Sequence, residues 1–241
     1  MLGRLILTYL FFLGNIGFAE INILAIGDSL TAGYHSKGEE HSPYTDAMNE
    51  IFAGSDIEIN VDNKGMDSLP ITFIHGNLID AYEQKQYDIT IFLGGTNDLS
   101  FSTIDNVEFS QENIIENLFK AYAEIKDSGS FLIGITIPPL ETGHAELDPK
   151  REFINTKIKA YFKEHPKQGL LFDLEGMVSN DWDEFLFWDH DNIHFSAAGY
   201  QKMGKEITKL IKGKRVLEKV ERSKKKSQFR SKIRNVLRYF I

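Results

Sequence analysis

Cysteine is absent from all 241 residues. That excludes disulfides, thiol nucleophiles and thiolate metal sites. It leaves the compartment open, because exported proteins can fold without disulfides. The G-x-G-x-x-G and Walker loops that cradle phosphates are missing, as is the H-E-x-x-H of zinc proteases. No G-x-S-x-G elbow occurs either. Beyond the N-terminus, no apolar run approaches the ~20 residues of a membrane span. Positive charge is in deficit: the formal net is −8, which argues against a general nucleic-acid partner. Internal repeats and low-complexity linkers are absent before the C-terminal tail.

The length suits one domain with a sizeable core, plus appendages. Charge is unevenly spread. Residues 212–241 hold twelve Lys or Arg and two Glu, about +10, which leaves the remainder near −18. The N-terminus reads MLGRLILTYLFFLGNIGFAE. Arg4 precedes an apolar run from Leu5, interrupted at Asn15, and Gly17 and Ala19 are small residues placed as a signal peptidase reads them. A cleaved secretory signal over 1–19 is expected, with secretion or periplasmic export; an uncleaved anchor is the competing reading. The catalytic-sized body is then 20–213, followed by a basic tail over 214–241.

Within the body, apolar runs alternate with helical periodicity. Strands are expected at Ile21–Ile26, around Ile57, Ile59 and Val61, and at Ile89–Leu93, Phe131–Ile137 and Leu170–Phe172. Helices are expected between them. Ser42 and Pro43 read as N-cap and first helical residue before Tyr44, Ala47, Met48 and Ile51. Further stripes follow Ser68-Leu-Pro70, run from Ile114 to Ile125 and stop near Ser128-Gly129, follow Asp148-Pro149, and extend from Ser196 to about Ile211. Strands that are apolar throughout, separated by amphipathic helices, predict a five-stranded parallel sheet covered on both faces.

Polar clusters follow the first three strands: Gly27-Asp28-Ser29, Asn63-Lys-Gly65, and Gly94-Gly95-Thr96-Asn97-Asp98. Ligand sites of such sheets lie at the carboxyl ends of strands. A fourth cluster, Asp189-His190-Asp191-Asn192-Ile193-His194, precedes the last helix. Acyl transfer needs a nucleophilic oxygen, an imidazole base, a carboxylate to fix its tautomer, and donors for the oxyanion. Ser29, His194 and Asp191 fill the first three roles. Ser29 N–H, Gly65 N–H and the Asn97 side-chain amide are the candidate oxyanion donors.

With these residues in place, the chain resembles the GDSL, or SGNH, hydrolase family. GDSLTAGY, GGTND and the D-x-x-H of Asp191 to His194 carry the resemblance, which covers roughly Ile21 to Ile211. It implies a three-layer α/β/α fold of SGNH or flavodoxin-like type, hydrolysis of carboxylic esters, and no cofactor or metal. In the second block, Gly65 is followed by Met66-Asp67-Ser68, where family members usually show a further glycine. The wording GDSLTAGY is nearest to the lysophospholipase and thioesterase branch, so a lipid or short-chain acyl ester is the expected substrate. Carbohydrate O-deacetylation is the rival within the hydrolases, and a non-catalytic secreted binding module is the rival outside them.

Plainer readings stand beside these. Asp28 is expected to organise its loop, Asp98 to serve as a turn or cap residue, and Trp188 to pack or wall a pocket. His190 and His194 could share a metal only if a helix ran through Asn192. In the tail, Phe229, Ile233, Val236, Leu237 and Phe240 recur at helical spacing among Arg230, Lys232, Arg234 and Arg238. Such a basic amphipathic segment suits peripheral contact with an anionic membrane or a partner groove; a frayed, solvated tail is the alternative.

Overall fold

The structure, a computed structural model, describes residues 20–102, 107–139, 147–181, 184–222 and 224–225. The expected signal over 1–19 and the tail from 226 onward lie outside the described residues. Five strands form the central sheet: β1 (Ile21–Gly27), β2 (Ile59–Gly65), β3 (Ile89–Leu93), β4 (Phe131–Ile135) and β5 (Gly169–Phe172). All pairings are parallel, in the order β2-β1-β3-β4-β5. The expected parallel sheet is therefore present.

Side chains alternate across it with the period of two that a pleat imposes. Ile21, Ile23 and Ala25 of β1 face one core, with Ile89, Ile91 and Leu93 of β3. Leu24, Ile26 and Phe92 face the other. Over the first core lie α2 (Tyr44–Phe52) and α9 (Ala197–Gly213), contributing Met48, Met203 and Ile207. Over the second lie α3 (Ile71–Gln84), α5 (Gln111–Asp127) and α6 (Asp148–Glu164), with Ile74, Leu118 and Ile158. Helices cover both faces of β1, β3 and β4, which explains why these strands read as nearly unbroken apolar runs, whereas the edge strand β2, INVDNKG, is only partly buried and carries polar residues. Among the described residues no helix is long and apolar enough to cross a membrane.

Four short helices went unread in the sequence: α1 (Ser29–Ala32), α4 (Thr96–Phe101), α7 (Leu174–Asp181) and α8 (Glu184–Phe187). Each is too brief for periodicity to register. Other boundaries also move. Pro43, not Ser42, stands at the cap of α2, and Ser42 Oγ instead bonds His35 Nε2 at 3.0 Å. β4 ends at Ile135 rather than Ile137, because Asn155 of α6 takes over the backbone: its amide accepts from Ile137 N–H and donates to Ile137 C=O, both at 2.8 Å. Asn63-Lys-Gly65 belongs to the end of β2, not to a loop after it.

The expected boundary after Gly213 needs correction as well. Residues 216–222 are helical, and Val216 and Leu217 are buried in the first core. The start of the basic segment is thus part of the packed body.

α9 and α2 approach so closely that a Cβ on Gly204 would lie 2.1 Å from Tyr44 O. Such a contact with backbone cannot be relieved by a rotamer change. Gly204→Ala should therefore destabilise the fold by ~1–3 kcal/mol, the usual cost of overpacking, despite a helix-propensity gain of ~1 kcal/mol. Urea unfolding checks this; an equal or higher midpoint would show that the two helices can part without loss.

Candidate active site

The first site element is built by a strand that stops. β1 ends at Gly27, where a Cβ would lie 2.2 Å from Leu93 O of the neighbouring strand. Asp28 then caps α1, its carboxylate accepting from Leu30 N–H at 3.0 Å. Gly33, at φ +80, closes the helix after one turn, a backbone state glycine adopts without steric cost. Ser29 is thereby fixed as the first residue of α1, at the carboxyl rim of the sheet. Its amide is one of those that a helix start leaves without an intrahelical partner.

The opposite wall comes from the last loop. Asp191 Oδ1 accepts from Ile193 N–H and His194 N–H, both at 2.9 Å. Asn192 takes φ +59, so the segment is a turn and not the helix that a His190–His194 metal pair requires. Among the described residues no three His, Asp or Glu side chains converge as metal ligands. Trp188 bridges to Phe195 and packs on it in the first core, pinching the loop. Ser196 caps α9, accepting from Gly199 N–H.

These two walls meet. Ser29 Oγ lies 2.8 Å from His194 Nε2, and His194 Nδ1 lies 2.6 Å from Asp191 Oδ2. An ionised carboxylate can only accept, so Nδ1 carries the proton and Nε2 is left to accept from the serine hydroxyl. Burial pushes the Asp191 carboxyl up, but bonds from His194 N–H, the His194 ring and Ile193 N–H outweigh it and hold the group below its ordinary value. Asp191 therefore stays ionised near neutral pH.

The expected oxyanion donors fare differently. Asn97 sits in the first turn of α4, at the carboxyl end of β3, and one amide N–H donates to Leu69 O at 3.1 Å. That bond orients the side chain and leaves its second N–H. Gly65 lies on the same rim, in register with Gly27. Its N–H, however, is donated to Asn63 Oδ1 at 2.8 Å, so the donor expected to face an oxyanion is already engaged. The glycine has another cause. A Cβ there would lie 2.1 Å from Ala32 N, in the backbone of α1.

Asn63 and Tyr34 were not read as site residues. The Asn63 amide donates to Thr31 O at 2.8 Å and Thr45 Oγ1 at 3.1 Å, joining β2 to the helix that carries Ser29. Tyr34, the last residue of GDSLTAGY, lays its ring 4.4 Å from the His194 ring centroid. Its carbonyl accepts from Tyr200 OH at 2.8 Å. Two residues on, Ser36 N–H donates to Asp189 at 2.9 Å. The hairpin over 34–41 thus straps the histidine loop. A ring directly behind the GDSL block was the available signal, but nothing in its spacing pointed at His194.

Two buried carboxylates lie behind the serine. Asp98 reaches across to cap α3, accepting from Ile71 N–H at 3.0 Å, because Pro70 at the cap position offers no side-chain oxygen. Both acids thus organise backbone, as expected for turn and cap residues. Burial pushes Asp98 up to about 6. Burial also raises Asp28 to about 7, opposed by Leu30 N–H and reinforced by the Asp98 charge.

A family model, described as the GDSL-like lipase/acylhydrolase family, matches residues 25–202. Solved structures share the fold. A lipase/acylhydrolase from Enterococcus faecalis superposes with TM-score 0.68 at 24% identity, over 80% of this chain and 96% of that one. An acetylxylan esterase from Geobacillus stearothermophilus gives 0.62 at 17% identity, over 80% and 95%. The psychrotrophic esterase EstA from Pseudoalteromonas sp. gives 0.62 at 15%, over 82% and 98%. No curated protein sequence matches the chain.

The raised Asp28 carboxyl sets a pH dependence. Folding lifts it from 3.8 to about 7, so the folded chain binds a proton that the unfolded chain has lost. The associated stability is full below about pH 4 and is lost as pH rises through about 7, at up to ~1.4 kcal/mol per pH unit. Asp28→Asn keeps a capping oxygen and removes this slope, leaving that of Asp98. Thermal unfolding at pH 5 and pH 8 should show the wild type losing more than the variant; parallel profiles would contradict it.

Proposed function

The chain is an ester hydrolase belonging to the GDSL-like lipase/acylhydrolase family, and we propose that it cleaves carboxylic esters through an acyl group carried on Ser29. One observation carries this reading. The 2.8 Å contact from Ser29 Oγ to His194 Nε2 is continued by the 2.6 Å contact to Asp191.

In the proposed cycle, Ser29 Oγ attacks the ester carbonyl while Nε2 takes its proton. Asp191 stabilises the imidazolium and keeps the ring oriented. The tetrahedral oxyanion is held by Ser29 N–H and the second amide N–H of Asn97. Collapse breaks the bond to the alcohol oxygen, which leaves with the proton from Nε2. Water then attacks the acyl-serine and gives a proton to Nε2; collapse breaks the acyl–Oγ bond, Ser29 Oγ takes that proton back, and the acid leaves. No cofactor enters any step.

A lipid or short-chain acyl ester remains the first reading of the substrate. The acetylxylan esterase among the similar structures supports acetylated carbohydrate as the second. We place the enzyme outside the cytoplasm, on the strength of the signal pattern over 1–19.

Turnover of a chromogenic short-chain ester tests the roles. Ser29→Ala and His194→Ala should remove nearly all activity without unfolding the protein. Asn97→Ala should lower kcat by ~10²–10³, the usual effect of deleting one oxyanion donor, with KM little changed. Asp191→Asn should cost ~10⁴ through the wrong tautomer. A Ser29→Ala protein that keeps most of its turnover would remove the mechanism.

A further inference from the structure

We propose that the base of the molecule, the end opposite Ser29, docks on an anionic membrane surface, so that the active site faces away from that membrane. The proposal deepens the esterase reading, on which its choice of substrate side rests. It favours esters presented from the aqueous phase over lipids of the bilayer to which the enzyme is attached.

The basal surface is a recess of about 570 Å³ at the amino ends of β3, β4 and β5. Lys126, Lys167, Lys219 and Lys224 line it, against a single carboxylate, Asp88. Lys224 is satisfied, donating to Asp88 Oδ2 at 2.7 Å and Glu20 O at 2.5 Å. The other three are not comparably held. Among the described residues, Lys126 reaches only the exposed Asp127, at 3.9 Å. Lys167 and Lys219 are exposed, and among the described residues no carboxylate pairs with them. In a chain with a net charge of −8, a recess with this excess of ammonium groups calls for an anionic partner.

Topology says which partner. α9 starts at the catalytic rim with Ser196 and runs back to the base, where Val216 and Leu217 anchor the following turn in the core. Through Lys224 the chain then touches Glu20. Both ends of the described body therefore meet at this pole. Onward from it, the sequence of residues 226–241 holds Lys226, Arg230, Lys232, Arg234 and Arg238 and no acid, interleaved with Phe229, Ile233, Leu237 and Phe240. Basic residues mixed with large apolar ones, following in the sequence on a segment that lines a basic recess, fit an interface that is anionic outside and apolar beneath. A soluble polyanion would use the lysines and leave the apolar residues without purpose. Ser29 lies beyond the far end of β1, and at ~3.3 Å per residue that strand alone separates it from the base by roughly 20 Å.

The cysteine-free chain makes orientation measurable. Lys167→Cys at the base and Glu39→Cys in the rim hairpin each accept one fluorophore on the full-length protein. Vesicles of phosphatidylglycerol and phosphatidylcholine carry a quencher on the headgroups. Strong quenching of the basal label and little of the rim label is expected. Lys126→Ala/Lys167→Ala/Lys219→Ala should weaken vesicle binding at low salt by ~100-fold, taking ~fivefold per basic residue. Its turnover of a soluble ester should match wild type. Equal or stronger quenching at the rim, or unchanged vesicle affinity in the triple variant, would overturn the proposal. So would binding that inorganic polyphosphate matches in affinity while vesicles fail to bind. Wild-type turnover of the soluble ester reports on the esterase reading separately, so the two can fail independently.

Discussion

One hydrogen bond, from Ser29 O–H to His194 Nε2, joins residues 165 positions apart, and much of the fold serves to hold its ends. Ser29 is delivered by β1, an interior strand paired with β2 and β3 and packed on both faces. His194 is delivered by a loop that must come back to the same rim before α9 can start. A one-residue slip of β1 would turn Ile23 and Leu24 to the wrong cores, so the serine's position inherits the specificity of the whole sheet. The histidine has no sheet to hold it. Its position depends on the Trp188–Phe195 bridge, the Asp191 turn and the Tyr34 ring.

Two carboxylates are buried close behind the serine, and buried acids are costly unless bonded. Each here satisfies a helix start, Asp28 that of its own helix and Asp98 that of a distant one. Asp28 caps the helix that presents Ser29, and Asp98 caps α3 where Pro70 cannot. Both caps lie at the carboxyl rim, and the Asp98 cap ties the segment after β3 to the one after β2. Asn63 adds the tie between β2 and α1. The Asp98 charge adds to the energetic cost of ionising Asp28. Rigidity at the rim is obtained at the expense of stability near neutral pH.

Much of this was legible in the sequence. The five strands and the long helices follow from apolar periodicity, because packing on both faces of a parallel sheet leaves an unmistakable record. Ser29, Asp191 and His194 were singled out by GDSLTAGY and the D-x-x-H before the last helix taken together, and the structure brings the three side chains into hydrogen-bond contact. What escaped was of shorter range or longer reach. One-turn helices such as α1 carry no period. Gly65 looked like an open amide, but its missing Cβ accommodates the α1 backbone and its N–H turns to Asn63. Neither fact is local to its segment. The contact of Tyr34 with His194 and the burial of Val216 and Leu217 likewise depend on where distant elements meet.

The central claim is that the histidine–aspartate pair makes Ser29 a nucleophile. Its most direct test is covalent labelling with an alkyl phosphonate, read by intact mass and peptide mapping. The account predicts one adduct per chain, located on Ser29, formed orders of magnitude more slowly when His194 is replaced by Ala. An adduct on another residue, or labelling of Ser29 that proceeds at the same rate without His194, would contradict it.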